Sequence, residues 1–118
     1  MPKPKAGKLA ERLGFFDIET TNLVADFGFI LTWCIKDGDS KTIYQDQITL
    51  QDLRKAKAGD EDKRIVQSCL RCIAKFDRIV TFYGKRFDAP FLRTRAVSMG
   101  LDFFPWGSDI YHTDVYDM

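Results

Sequence analysis

Several features that would restrict the class of this protein at once are missing from its sequence. It contains one histidine, no run of eighteen apolar residues, and eighteen basic residues that nearly balance seventeen acidic ones. Without a long apolar run no membrane-spanning helix is predicted. A near-zero net charge is not typical of a protein that binds polyanions with its whole surface. A nucleic-acid partner would have to be bound locally, and basic residues do concentrate in residues 1–12 and 84–95.

Cysteine is also sparse, and the number is odd: Cys34, Cys69 and Cys72. With no charged-then-apolar leader in the sequence, we expect a reducing, cytoplasmic location, or the host cytoplasm if the protein is viral. Cys69 and Cys72 form a Cys-x-x-Cys, but neither a second pair nor a suitably spaced histidine follows. This spacing favours cysteines packed inside a helix over a zinc site.

What is present predicts one folded α/β domain across residues 1–118, with residues 1–10 as a flexible arm. Hydrophobic residues make up 45% of the chain, which is too apolar for disorder. Leu13–Ile18 is predicted as a strand buried on both faces. The other predicted elements are strands at 27–35 and 41–45 joined at Asp37-Gly38, a loop or short helix at 51–63, a helix capped by Asp60 and running to Phe76, a strand at 78–83, a helix at 87–99 ended by Gly100, a loop at 101–108, and a final helix capped by Asp114.

The segment Asp17-Ile18-Glu19 places two acids at the end of a predicted buried strand. Residues i and i+2 of a strand point to the same face, so the two carboxylates are expected to lie together. Such a pair is suited to a hard divalent cation. The alternative is a solvated pair that caps the following turn, which for an isolated Asp-x-Glu is the more common situation.

A second acid, Asp88, lies where a strand and a glycine turn lead into a helix. It is either the N-cap of that helix or a member of the same acidic site. Strand-to-helix turns of a parallel sheet lie beyond the carboxyl ends of the strands, which is the edge where Glu19 emerges. The sequence therefore predicts that Asp17, Glu19 and Asp88 converge.

These segments resemble a known family. Phe-Asp-Ile-Glu-Thr-Thr-Asn-Leu at residues 16–23 resembles the first motif of DEDD 3′–5′ exonucleases, and Tyr-Gly-Lys-Arg-Phe-Asp at residues 83–88 resembles the second. The extension at residues 89–96 is most similar to the exonuclease domains of family B DNA polymerases and to stand-alone relatives. The resemblance implies an α/β, ribonuclease H-like mixed sheet flanked by helices, truncated at the C-terminus before the third motif.

The resemblance also implies a chemistry. In the family, four acids bind two Mg²⁺ or Mn²⁺ ions that hydrolyse a phosphodiester at the 3′ end of single-stranded DNA or RNA. By resemblance Asp17 would bridge both ions, Glu19 would hold the ion on the nucleophile side, and Asp88 would act through the second ion. A role in DNA replication or repair follows, with an unidentified polymerase or replication partner and no membrane. Tyr83 departs from the commoner Asn of the second motif.

Nucleic-acid contacts are implied for residues next to both motifs, and these are Thr20, Thr21, Asn22, Leu23, Tyr83, Gly84 and Phe87. Tyr83 and Phe87 would stack on a base, although core packing explains Phe87 equally well. Arg86, Arg93 and Arg95 are candidates for phosphate contacts, with solvated helix faces as the alternative.

Near the C-terminus His112 precedes Asp117 by five residues, which is the spacing of a His-type third motif. We favour another interpretation, because one helix occupies most of the residues between Asp88 and His112. In polymerase-like relatives a similar Asp-x-Tyr, here Asp114-Val115-Tyr116, opens the next helix before the third motif. His112, Asp114 and Asp117 are therefore weaker candidates. The 118-residue chain is expected to bind divalent metal weakly and to cleave a 3′-ended single strand slowly or not at all, unless a partner chain supplies an acid.

Two rival functions remain open from the sequence. One is a catalytically inactive nucleic-acid-binding module with the same fold. The other is a different ribonuclease H-like nuclease, such as an endonuclease or resolvase, which would share the carboxylates but lack the Phe87-Asp88 turn.

Overall fold

A computed structural model describes residues 11–25, 28–102 and 109–118 of the chain. The predicted arm at residues 1–10 and most of the predicted loop at 101–108 lie outside the described residues. The strands are β1 (Leu13–Thr20), β2 (Ile30–Asp37), β3 (Ile43–Gln47), β4 (Arg78–Thr81) and β5 (Tyr111–Asp114). The helices are α1 (Leu50–Lys55), α2 (Lys63–Ile73) and α3 (Asp88–Ser98), followed by a 3₁₀ turn at Val115–Asp117.

The strands form one mixed sheet in the order β3-β2-β1-β4-β5. β1 pairs antiparallel with β2, which pairs antiparallel with β3, whereas β4 is parallel to both β1 and β5. The helix α2 links the hairpin to β4, and α3 links β4 to β5, as parallel neighbours require. The predicted α/β fold with a mixed sheet is confirmed.

Strand β1 is buried on one face only. Gly14, Phe16 and Ile18 are buried, while Phe15, Asp17 and Glu19 are exposed. The prediction of a strand buried on both faces was wrong, because the helices packed against β1 lie on the side of Phe16 and Ile18. The sheet therefore has a covered face, and an open face to which Asp17 and Glu19 belong.

The covered face carries the hydrophobic core. α2 contributes its apolar stripe and α3 contributes Phe91, Leu92 and Ala96. Cys69 and Cys72 belong to the stripe of α2, and burial raises the pKa of both thiols. The prediction of packed helix cysteines is confirmed. None of the described helices is long and apolar enough to cross a bilayer.

Several element boundaries differ from the prediction. The strands of the hairpin are shifted toward the C-terminus, and the connection at residues 38–42 is closed by Asp37 N–H donating to the Thr42 carbonyl (3.0 Å). Asp62, not Asp60, stands at the start of α2. α3 ends as predicted before Gly100, which adopts φ +71°. Strand β5 was not predicted, because four polar or aromatic residues carry little strand pattern.

An internal ion pair joins three elements. Asp62 accepts from Ile30 N–H at the start of β2 (2.8 Å) and pairs with Arg95 of α3 (2.6 Å). Arg95 also donates to the Gly59 carbonyl (2.7 Å). Neither of the two interpretations of Arg95, a phosphate contact or a solvated helix face, is correct, because its guanidinium is buried against Asp62. Arg93, on the opposite side of α3, is exposed.

Candidate active site

The sheet edge at the end of β1 brings two of the predicted acids together. Asp17 lies exposed on β1, and Asp88 is the first residue of α3 and is buried. The Asp88 carboxylate accepts a hydrogen bond from Ile18 N–H (3.1 Å), across seventy positions of sequence. The position before the helix is occupied by Phe87. Asp88 therefore connects α3 to β1, and the reading of Asp88 as the N-cap of its own helix was wrong.

The electrostatics of this pair are those of two acids that share one site. Burial, and then the nearby charge of Asp17, raise the pKa of Asp88 to about 7, although the Ile18 hydrogen bond acts in the opposite direction. The two carboxylates repel when both are ionised, and a divalent cation would relieve that repulsion. Hard carboxylate oxygens are the donors that Mg²⁺ and Mn²⁺ prefer. The pair thus fits a hard cation by its donor chemistry.

Glu19 is exposed on the same face of β1, two residues beyond Asp17. The pairing of β1 with β2 shifts register between Glu19 and Thr20. In the part of the chain that the structure describes, no group of three or more His, Cys, Asp or Glu side chains is arranged to hold a metal ion. The structure brings Asp17 and Asp88 together but does not add Glu19 as a third member.

The loop after β1 is held by its own polar side chains. The Thr20 hydroxyl donates to the Asn22 carbonyl (2.7 Å), the Asn22 side chain accepts from Val24 N–H (3.2 Å), and the Thr21 hydroxyl accepts from Phe29 N–H (3.0 Å). Leu23 projects from this loop and is 82% exposed. Of the four predicted contact residues, Leu23 offers the most open apolar surface for a ligand.

The turn between β4 and α3, residues 82–87, has an unusual backbone. Tyr83 adopts φ +65°, a left-handed conformation that is uncommon outside glycine. At Gly84 a Cβ atom would lie 2.2 Å from the Thr81 hydroxyl, so this position must be glycine. Phe87 contacts Phe91 (5.6 Å between ring centroids) and packs on the core. Phe87 therefore has a packing role, whereas Tyr83 is 42% exposed.

Around this turn lies a cluster of exposed rings, which we call the aromatic cluster: Phe82, Tyr83 and Tyr116. Tyr116 meets both other rings edge to face, at 5.8 Å and 4.9 Å, and Arg86 stacks on Tyr116 (5.0 Å). No site role was predicted from the sequence for Phe82 or Tyr116. For Phe82 the signal was the period-two alternation of β4, which directs it to the open face.

The weaker candidates near the C-terminus contact this same turn. Asp114 is buried and accepts from three backbone N–H groups, and the His112 ring contacts the Thr81 hydroxyl (2.7 Å). Burial and the charge of Lys85 lower the pKa of His112. Asp117 pairs with Arg86 at 2.7 Å. Within the described residues these side chains form no metal-binding group with Asp17 and Asp88.

Comparison with known proteins agrees with this architecture. The family described as the RNase_H superfamily matches residues 14–118, and the chain belongs to this family. A search of the curated proteins found no significant sequence match.

Solved structures with the same fold include a polymerase and an exonuclease. The family B DNA polymerase of the hyperthermophilic archaeon Pyrobaculum calidifontis superposes with a TM-score of 0.72 at 17% identity, covering 92% of this chain and 16% of the polymerase. A zinc-bound complex of E. coli exonuclease I with single-stranded DNA gives 0.71 at 15% identity, covering 92% and 28%. E. coli exonuclease I with a dT13 oligonucleotide gives 0.63 at 12% identity, covering 90% and 28%. The chain thus spans less than a third of the length of these proteins.

Proposed function

We propose that this chain carries the first two acidic motifs of a metal-dependent 3′–5′ exonuclease that hydrolyses phosphodiester bonds of single-stranded DNA or RNA. The observation that carries the proposal is the placement of Asp88 against β1, where its carboxylate accepts a hydrogen bond from Ile18 N–H, next to Asp17. Two acids from segments far apart in sequence meet at one sheet edge, and the pKa of the buried one is raised to about 7. Clustered acids with perturbed pKa values are characteristic of functional sites.

In this proposal Asp17 and Asp88 hold Mg²⁺ or Mn²⁺, and Glu19 is the further carboxylate on the same face of β1. A bound ion of this kind stabilises the negative charge that develops as the phosphodiester is cleaved. The protein itself orients the ligands. Ile18 N–H fixes one oxygen of Asp88, and the buried start of α3 limits how far that carboxylate can move.

The strand would approach over the exposed groups beside the acids. Leu23 offers an apolar contact on one side, and the aromatic cluster offers ring faces for bases on the other. The E. coli exonuclease I complexes contain single-stranded DNA, which supports this class of substrate. The same proposal includes a role in replication or repair with an unidentified polymerase or replication partner. It also includes a cytoplasmic location, or the host cytoplasm for a viral protein.

The test is a nuclease assay on the full-length protein with a 3′-ended labelled single strand and Mn²⁺. Asp17→Asn and Asp88→Asn are each expected to lower the rate by a factor of about 10² or more, because each removes a metal ligand. Asp17→Asn should leave the melting temperature unchanged or raise it, since repulsion between the acids is relieved. Asp39→Asn, an exposed acid in the hairpin turn, is the matched control.

The outcomes separate the proposal from its rivals. A melting temperature of Asp17→Asn far below that of wild type would indicate that Asp17 has a structural role. A wild-type protein that binds the strand but releases no nucleotide with Mn²⁺ would be a binding module, and cleavage of a circular strand would identify an endonuclease.

A further inference from the structure

We propose that Asp114 is a positioning residue for the candidate active site, which holds the turn at residues 82–87 so that Asp88 is placed against β1. The active-site part of this inference rests on the proposed function. Asp114 ends β5, the strand next to β4, and lies opposite Thr81 in the register. Asp114 therefore lies on a different element from Asp17, which is on β1, and from Asp88, which is on α3.

Both oxygens of the Asp114 carboxylate accept hydrogen bonds from backbone N–H groups of that turn. One oxygen accepts from Tyr83 N–H (2.7 Å) and the other from Lys85 N–H (3.1 Å). The first also accepts from Tyr116 N–H at 3.0 Å. Asp114 is 2% exposed. Burial alone would raise its pKa, but the N–H groups of Lys85, Tyr116 and Tyr83 lower it below its ordinary value, so Asp114 is a fixed anion.

The turn needs such a partner because its own residues do not favour its shape. Tyr83 lies at φ +65°, which a side chain with a Cβ rarely adopts. Two of the three N–H groups that donate to Asp114 belong to this turn, on Tyr83 and Lys85, and each donates to a different oxygen of the carboxylate. Successive N–H groups directed at one anion form a known type of anion-binding turn. Here the anion is a side chain of the same protein.

Hydrogen bonds connect the turn to the residues on either side of Asp88. Phe87 N–H donates to the Tyr83 carbonyl (3.0 Å), and Ala89 N–H donates to the Gly84 carbonyl (2.8 Å). These bonds bracket Asp88, whose carboxylate accepts from Ile18 N–H. A shift of the turn would therefore move the start of α3 relative to β1.

Two simpler roles do not account for the contacts of Asp114. As a cap of the 3₁₀ turn it would need the bond to Tyr116 N–H and no other. As a charge partner of Arg86 it is distant, at 3.9 Å, and the shorter ion pair of Arg86 is with Asp117 at 2.7 Å. Neither role explains the two hydrogen bonds from the turn, whereas the positioning role does.

The experiment compares Asp114→Asn with wild type by ¹H–¹⁵N NMR of the intact protein. The Tyr83 and Lys85 amide signals should shift upfield, since an amide oxygen is a weaker acceptor than a carboxylate. The informative signal is the Ile18 amide, which lies on β1 and reports the place of Asp88. Its protection against hydrogen exchange should fall by about tenfold. The Mn²⁺ affinity should fall by about 10- to 100-fold, as for other residues that orient metal ligands.

A matched control comes from Asp52, whose carboxylate also accepts a backbone N–H, from Thr49 (2.8 Å), and also pairs with an arginine, Arg64. Asp52→Asn should lower stability without changing the Ile18 amide. The positioning role is overturned if Asp114→Asn moves the Lys85 amide signal upfield and leaves Ile18 protection unchanged. It is also overturned if Asp52→Asn reduces Ile18 protection equally.

A rescue experiment covers the case in which Asp114→Asn alone does not fold. Tyr83→Gly removes the conformational penalty of the turn, so Ile18 protection should fall less on Asp114→Asn in that background. An equal or larger fall in Ile18 protection would contradict the positioning role of Asp114. If wild type neither binds Mn²⁺ nor cleaves a strand, the proposed function fails, while the Ile18 measurement still decides whether Asp114 positions Asp88.

Discussion

Among single residues, Asp88 occupies the most unusual chemical environment of the predicted site. It is 4% exposed, starts a helix, and faces a second acid, yet the hydrogen bond from Ile18 N–H favours its ionised form. Burial and Asp17 outweigh that bond, so the pKa is raised from 3.8 to about 7. The environment of this carboxylate therefore favours the binding of a positive charge, either a proton or a metal ion.

This raised pKa makes stability depend on pH in the absence of metal. A folded-state pKa above the unfolded value means that the native state binds more protons, so the stabilisation is complete below about pH 4 and is lost as pH rises through about 7. The loss is at most about 4 kcal/mol, at about 1.4 kcal/mol per pKa unit. Urea unfolding in EDTA from pH 4 to 8 measures it. The unfolding free energy of Asp88→Asn should change less with pH over this range. An equal slope in both proteins would contradict the raised pKa of Asp88.

Gly84 is a second residue whose identity is required by its surroundings. A methyl group at this position would overlap the Thr81 side chain, with 2.2 Å to its hydroxyl and 2.4 Å to its Cβ. Gly84→Ala should therefore cost about 3 kcal/mol of unfolding free energy, at the upper end for overpacking. Gly100→Ala is the control, because φ is +71° there but the added Cβ would meet nothing within 4 Å. We expect about 1 kcal/mol for that variant, and equal losses in denaturant titrations would argue against the clash.

At the scale of elements, the ion pair of Asp62 and Arg95 ties two helices and a strand together. Asp62 is fully buried, Arg95 is 7% exposed, and the contacts reach Ile30 and Gly59. Arg95 lies on the same helix that begins at Asp88, so the ion pair attaches that helix to the start of β2. Buried charges of this kind are costly to leave unpaired.

Removing one partner tests this role. Arg95→Leu should lower the unfolding free energy by about 3 to 5 kcal/mol, because it leaves the Asp62 charge buried and uncompensated. Arg93→Leu, on the exposed side of the same helix, should change it by less than about 0.5 kcal/mol. Thermal or urea unfolding of the two variants gives the comparison, and similar stabilities would show that Asp62 is satisfied without Arg95.

For the whole molecule, the sheet is asymmetric: the covered face carries the core and the open face carries exposed apolar groups. On the open face lies a shallow recess of about 420 Å³, which runs from Asp17 past Phe15 and Cys34 to Phe82 and Val115. Phe15 is 45% exposed and Phe82 71%. The lining of the recess is therefore mainly apolar, with Asp17 at one end.

A hydrophobic dye such as anilinonaphthalene sulfonate should bind this face in the folded 118-residue chain. Phe15→Lys is expected to reduce the dye fluorescence while changing the unfolding free energy by less than about 0.5 kcal/mol, because the side chain is already half in water. Val97→Lys on α3, where Val97 is 65% exposed on the helix layer, is the matched control and should leave the fluorescence unchanged. Equal effects of both substitutions would place the dye elsewhere.

The sequence by itself determined the features that depend on neighbours along the chain. Strand β4, helices α2 and α3, the stop at Gly100 and the cap at Asp114 follow from periodicity and from residues with strong backbone preferences. The meeting of Asp17 with Asp88 also followed, because the carboxyl ends of adjacent parallel strands lie at one edge of a sheet. The two motifs and their spacing predicted the family, and the match across residues 14–118 confirms it.

Other features were decided by the tertiary structure, because they depend on partners distant in sequence. Asp62 is separated from Arg95 by 33 positions, and Asp114 from Tyr83 by 31. The pattern of α3 does not distinguish a buried Arg95 from an exposed Arg93, and the register shift after Glu19 arises from pairing with β2. A buried charge is stable only where a partner reaches it, and that partner is supplied by the packing of separate elements.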